Sequence, residues 1–278
     1  MVLRRDATYI KFCCAKDVFV GVSSVAFLKK RRYTVYTHFK ETPMDTLSLH
    51  ALLNLTPGQG PVALCGSGGK TSLCYALARE ALAAGSRTAV TTTTHMFRPD
   101  KSWQALWQGT KAEEILAILE SGRLPVCGRL EGGKFTFGGQ SQWQTLVSTV
   151  PCLYVEADGS RRLPLKFPND TEPVLLPEIR HIFVVAGLSG LYRPAEQICH
   201  RWALARERLS KLPENMDEAA VAELLWAGYG SYHPQFILNQ ADTPALRQAG
   251  EHIAALLQER GAEAVYILSL KEMGLHYV

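Results

Sequence analysis

The sequence predicts an α/β domain: a mostly parallel sheet with helices on both faces and a β-hairpin elaboration at one edge. Three observations predict it. Short, nearly continuous apolar runs recur from residue 61 to the end, as strands buried on both faces require. Amphipathic helical stretches alternate with them. A glycine-rich turn joins the first of these strands to the first long helix.

The elements follow in order. Pro61-Val62-Ala63-Leu64-Cys65 is a buried strand ending in glycines. Thr71 to Ala84 reads as a helix, with Leu73, Leu77, Ala81 and Ala84 on one face and Gly85 as its stop. Arg87 to Thr92 is the second strand. Thr110 and Glu113 have capping-box spacing for a helix running to about Ser121. Leu124–Arg129 and Lys134–Phe137, split by Gly132-Gly133, predict the hairpin. Cys152–Val155, His181–Ala186 and Phe236–Leu238 are three further strands, and Val265–Leu268 is the last. Asn215 and Glu218 suit the start of a helix through Trp226. Thr243-Pro244 opens another, with Leu246, Ala249, Ile253, Leu256 and Leu257 inward and Gly261 ending it. No linker interrupts 61–278, so one domain is expected.

The first 43 residues break this pattern. They hold nine Lys/Arg and three acids, a net +6, and leave −2 for the rest of a chain whose total is +4. A body close to neutral gives no electrostatic case for nucleic-acid binding. The apolar run Asp17–Leu28 is shorter than the roughly 20 residues a membrane-spanning helix needs, and Lys29-Lys30-Arg31-Arg32 follows it without a cleavage site. The change in charge and pattern sets 1–43 apart as an N-terminal extension outside the fold, with Met44 as the expected start and 44–278 as the domain. Residues 1–43 in the mass of the intact native protein would refute that start. Seven cysteines, with no C-x-x-C and no zinc spacing, read as reduced thiols of a cytoplasmic protein.

The chemistry gathers in four runs. Gly66-Ser67-Gly68-Gly69-Lys70-Thr71-Ser72 lies between strand and helix, where backbone amides and a helix N-terminus can cradle a polyphosphate. Lys70 suits the β/γ-phosphates and Thr71 suits Mg²⁺. Position 64 is Leu, not the first Gly of G-x-x-x-x-G-K-[ST]. The loop is therefore the shorter G-x-x-G-K-T form, similar to that of the Mur ligase and folylpolyglutamate synthetase families. A dinucleotide loop fits worse, because Thr71 stands where its third Gly belongs.

Thr91-Thr92-Thr93-Thr94-His95 puts hydroxyls at the carboxyl end of the second strand. Thr93 and Thr94 are candidates for phosphate, Mg²⁺ or a second substrate, while threonine's preference for strands accounts for Thr91 and Thr92. Leu153-Tyr154-Val155-Glu156-Ala157-Asp158-Gly159 runs an apolar strand into two acids, as a Walker B element does. Glu156 and Asp158 share a side, and either can serve Mg²⁺ or position a nucleophile. Arg161, Arg162 and Lys166 follow, which suits a polyanionic substrate or a surface salt-bridge patch. Leu238-Asn239-Gln240-Ala241-Asp242 resembles the N-[KQ]-x-D base-recognition motif of GTPases, with Ser269-Leu270-Lys271 where those carry S-A-K. An Asx turn into the next helix explains Asn239 and Asp242 equally well.

Together these runs, with Lys166 and Glu172-Pro173, resemble the YqeC family over about residues 47–278. The resemblance implies a P-loop protein working near the maturation of selenium-dependent molybdenum hydroxylases, with such a hydroxylase or its maturation proteins as partner. The expected function is an accessory nucleoside triphosphatase binding GTP or ATP with Mg²⁺. In it Lys70, Asp158 and Glu156 would be catalytic, and Thr71 with either acid would hold the metal. An ATP-dependent ligase or kinase on a small acidic substrate, bound by Arg161, Arg162 and Lys166, is the alternative that the Mur-like loop suggests. A non-catalytic nucleotide-binding module is the third.

Overall fold

The computed structural model describes residues 25–30, 33–38, 48–132 and 134–275. In chain order, β1 (Val25–Lys30) and β2 (Tyr33–His38) precede a one-turn helix α1 (Leu49–Leu52). β3 (Val62–Gly66) leads through the glycine-rich turn into α2 (Lys70–Ala83) and then β4 (Thr88–Thr92). β5 (His95–Met96), β6 (Gln104–Trp107), α3 (Ala112–Glu120) and β7 (Leu124–Cys127) follow. Next come β8 (Arg129–Glu131), β9 (Lys134–Thr136), α4 (Gln140–Thr149), β10 (Cys152–Glu156) and β11 (Leu165–Lys166). β12 (His181–Gly187), α5 (Ala195–Ile198), β13 (Cys199–His200) and α6 (Trp202–Arg208) lead to α7 (Glu218–Tyr229). The chain closes through β14 (Gln235–Asn239), α8 (Pro244–Glu259) and β15 (Val265–Ile267).

Eight strands, in the order β15-β14-β12-β3-β10-β4-β7-β6, form an all-parallel sheet. β2 pairs parallel to β15, and β1 pairs antiparallel to β2. Both strands fall within the segment that charge and pattern set apart, and the rest of 1–43 lies outside the described residues. β3 is buried along its whole length, and its alternate residues serve different cores. Ala63 and Cys65 face the cluster of Val221, Leu224, Ile253 and Leu257 from α7 and α8. Val62 and Leu64 face Leu73, Cys74 and Leu77 of α2. This is the period-2 alternation of a strand covered on both sides. At the far end of the sheet, Ile115 of α3 and Trp143 and Leu146 of α4 cover Ala89, Leu153 and Val155.

Three local expectations are corrected. The residues between Leu124 and Phe137 do not form a single hairpin. β7 joins the main parallel sheet, and the hairpin is β8 with β9, extended by β5 into a small antiparallel sheet. Leu124, Val126 and Cys127 are too apolar to leave the core, so the first hairpin strand begins only at Arg129, while the turn stays between Glu131 and Lys134 as read. The Thr110/Glu113 capping box is not formed. Lys111 is the N-cap of α3, without a side-chain cap. Glu114, not Glu113, turns back, and it accepts from Trp107 Nε1 at 3.0 Å. At α7 the cap is Asp217, which accepts from Ala220 N at 2.8 Å; Asn215 lies outside the helix. The Thr243 cap and the Pro244 start of α8 stand as read. Among the described residues no helix is long and apolar enough to cross a membrane.

The topology positions the site. The chain leaves β3 for β4 on one side, later inserts β10 between them, and then crosses β3 to place β12 on its other side. In open parallel sheets such a reversal opens a crevice outside the strands' carboxyl ends, where ligands bind. The glycine-rich loop leaves β3 at that point.

Candidate functional site

The loop is shaped by close approach. Gly66 has φ +85°, and a Cβ there would sit 2.3 Å from Val185 O. Gly68 has φ +76°, and its Cβ would meet Gly187 N at 2.3 Å. Only glycine meets both demands. Ser67 is buried, donating its amide to Val185 O at 2.7 Å and its hydroxyl to Leu163 O. The amides of Gly68, Gly69, Lys70 and Thr71 donate to no acceptor among the described residues. Four successive free amides at a helix N-terminus give the loop positive potential. Ser72, on the first turn of α2, is buried.

Two acids at the end of β10 divide the space beneath the loop. Glu156 accepts from Thr71 Oγ1 at 2.6 Å and lies 3.9 Å from Lys70 Nζ. Asp158 is fully buried. Its Oδ2 accepts from Gly66 N at 2.9 Å and Tyr229 OH at 3.0 Å and pairs with Lys166 Nζ at 3.0 Å, while Oδ1 lies 3.3 Å from Lys70 Nζ. Lys70 also donates to Gly66 O at 2.7 Å and Ser160 Oγ at 3.2 Å. Burial pushes the Lys70 ammonium down, but Asp158 and Glu156 outweigh it and hold the group above its ordinary value. Burial pushes the Glu156 carboxyl up, against the opposing pull of Lys70 and the Thr71 hydroxyl. Together, Thr71 and Glu156 present oxygen donors of the kind Mg²⁺ takes, and an ion there would complete its shell with ligand oxygens and water. No group of three His, Cys, Asp or Glu among the described residues would hold a metal without such a ligand.

The Asp158 pair continues inward. Lys166, buried, bridges Asp158 to Glu172 Oε2 at 2.7 Å and donates to Gly159 O at 2.7 Å, and Arg201 closes the chain on Glu172 with two hydrogen bonds. Glu172 is pulled below the usual carboxylate range because Arg201 and Lys166 overcome its burial. Lys166, expected beside a substrate, is thus enclosed in a structural ion network. Sequence reasoning missed Tyr229 and Arg201. They lie 71 residues from Asp158 and 29 from Glu172, with no local pattern to mark them.

On the other side of the loop, Asn239 uses both ends of its amide. Nδ2 donates to Gly68 O at 2.7 Å, and Oδ1 accepts from Leu270 N at 3.1 Å. It ties the glycine loop to the segment after β15. Asp242, half-buried, accepts from the Ser269 hydroxyl. The threonine run is mostly spent on packing. Thr92 donates to Glu156 O at 2.8 Å, and Thr93 donates to Val174 O at 2.7 Å. The buried Thr94 hydroxyl has no hydrogen-bond partner among the described residues, and His95 is exposed on β5.

The Ser160–Leu163 segment is hydrogen-bonded to the loop. Leu163 N donates to Ser160 O at 3.1 Å, closing a β-turn with Arg161 (φ +51°) and Arg162 (φ +63°) at its centre. Positive φ at both central residues is the type I′ pattern, which favours Gly, Asn or Asp. Each arginine held there costs roughly 1–2 kcal/mol. Both side chains are exposed, and Arg162 Cζ lies 4.0 Å from the ring centroid of Phe97.

Fold and site define a parallel α/β protein with a glycine-lysine loop at the switch point of its sheet. The chain belongs to the YqeC family: the family model described as YqeC protein matches residues 62–203, the stretch from β3 through the Arg201 end of the ion network. It is also 33% identical over 148 residues to "Uncharacterized protein YqeC" of Escherichia coli (strain K12). That match spans 51% of this chain and 57% of the relative, so the chain covers little more than half of the curated relative's length.

Proposed function

We propose that the protein binds a nucleoside triphosphate with Mg²⁺ and hydrolyses it. The observation that carries this reading is the row of four free amides, Gly68 to Thr71, with Lys70 and the Thr71–Glu156 pair beneath it. The amides suit phosphate oxygens, and the α2 N-terminus adds positive potential. Lys70 turns from its carboxylates toward the terminal phosphates. The Thr71 hydroxyl and Glu156 carboxylate would hold Mg²⁺, which would supply charge neutralisation for the phosphate chain. Asn239 steadies the loop, and Asp242 offers a carboxylate oxygen to guanine N1–H and N2–H, which favours GTP over ATP. The client that the family resemblance implies is a selenium-dependent molybdenum hydroxylase, to be tested by co-purification.

The deciding experiment is a binding panel of GTP, ATP and their diphosphates with and without Mg²⁺, using parent protein and Lys70→Ala. The parent is expected to bind triphosphate in a Mg²⁺-dependent way and to release phosphate slowly. Lys70→Ala is expected to lose at least tenfold in triphosphate affinity. Equal affinity in a folded Lys70→Ala protein would remove the loop as a phosphate site.

A further inference from the structure

The six charged groups under the loop cancel. Lys70, Lys166 and Arg201 face Glu156, Asp158 and Glu172 within one continuous set of contacts. Arg161 and Arg162 stand outside this balance. Neither has an ion-pair partner among the described residues, and both are exposed. Their turn is nonetheless tied to the loop from both flanks: Ser160 accepts from Lys70 at 3.2 Å, and Leu163 O accepts from Ser67. Pro164 O, next along, accepts from Gly187 N at 2.8 Å. The turn that carries these two arginines, which have no ion-pair partner among the described residues, is therefore anchored at both flanks next to the glycine loop.

The backbone sharpens the point. Glycine would serve a turn of this conformation better than arginine at both positions. Two arginines where the main chain disfavours them point to a role for their side chains, since strained positions of this kind gather at ligand clamps. Guanidinium forks match the oxygens of phosphate and carboxylate groups. The exposed ring of Phe97 beneath Arg162 braces that side chain without neutralising it.

We infer that the Ser160–Leu163 turn is a second oxyanion site, in which Arg161 and Arg162 bind a phosphate-class group outside the amide cradle of Gly68–Thr71. The inference extends the nucleotide reading above. Two sources share this chemistry: the terminal phosphate of the bound triphosphate, and the acid group of a separate co-substrate.

The test is the double substitution Arg161→Gly and Arg162→Gly, because glycine preserves the turn. Its melting temperature is expected to equal or exceed the parent's, which separates loss of binding from loss of fold. Two titrations then divide the sources. A tenfold or greater loss of triphosphate affinity, with diphosphate affinity within threefold of the parent, assigns the site to the terminal phosphate. A comparable loss of inorganic phosphate binding, measured on protein saturated with a non-hydrolysable triphosphate analogue, assigns it to a co-substrate. Either result supports the second site. If both titrations match the parent, the inference is overturned. A parent protein that binds no nucleotide would end the nucleotide reading alone. Phosphate titration of unliganded parent and variant would then decide for the turn if the variant is weaker, and against it if the two are equal.

Discussion

The ends of β10 and β14 look alike in sequence and differ in structure. Each is an apolar strand that runs into a short polar stretch with an acid: Glu156-Ala157-Asp158 in one, Asn239-Gln240-Ala241-Asp242 in the other. After β10 both acids are buried and wired to the glycine loop, to Lys70 and to a chain of ions reaching Arg201. After β14 only the amide of Asn239 touches the loop, while Asp242 stays half-exposed against a serine. β10 lies directly beside β3, so its end faces the loop from below. β14 is one strand further off, beyond β12. The difference teaches that charge in the first region belongs to the fold as much as to any ligand, whereas in the second it remains available.

The largest expected effect breaks the first region. Lys166→Met leaves the buried Asp158 and the partly buried Glu172 without their shared cation. Removing one partner of a buried pair costs about 3–5 kcal/mol, so chemical denaturation should register a loss of that order. The matched change on the second side, Glu272→Ala, breaks a half-exposed pair with Arg247 that spans 2.9 Å. It should cost less than about 1 kcal/mol. Similar losses for the two would erase the contrast.

Gly68→Ala acts between the regions, on the residue whose carbonyl Asn239 holds. Its Cβ would press on the backbone of Gly187 at 2.3 Å, at a φ that disfavours alanine. A destabilisation of roughly 1–3 kcal/mol is expected, with loss of triphosphate binding by calorimetry. A variant as stable as the parent would show that the loop does not pack this tightly on β12.

The two acids of β10 should separate by what they do. Glu156→Gln keeps size and removes the charge beside Thr71. It should lower Mg²⁺-dependent triphosphate affinity about tenfold, or about 1.4 kcal/mol, and leave metal-free binding nearly unchanged. Asp158→Asn should show mainly as lost stability, because Lys166 and Lys70 lose their buried counter-charge. The reverse pattern would make Asp158 the metal-side acid.

The smallest effect on the fold belongs to Asp242→Asn. Half-exposed and, among the described residues, bonded only to Ser269, it should change stability by less than about 0.5 kcal/mol. The readout is base choice. The GTP-to-ATP affinity ratio should fall, and xanthosine triphosphate, whose C2 oxygen can receive the new amide donor, should gain. An unchanged ratio would leave Asn239–Asp242 as a helix-entry turn.

Much of this protein was legible in its residues. Apolar runs alternating with amphipathic helices reveal a parallel sheet because burial on both faces permits no polar alternation. The strand–glycine–lysine–helix order marks the loop, since backbone that approaches a neighbour closely needs glycine and shows as such in the sequence. The Thr243-Pro244 start of α8 was equally local. Tertiary structure decided the rest. That Lys166 is enclosed and Arg161 and Arg162 are not depends on Glu172, Arg201 and Tyr229, which arrive from distant segments. That Glu156 meets Thr71 while Asp158 meets Gly66 depends on β10 lying next to β3. Periodicity records which face of an element is buried, because transfer from water is a property of each side chain. It does not record which charge meets which, because an ion pair is a property of two residues and of the fold that joins them.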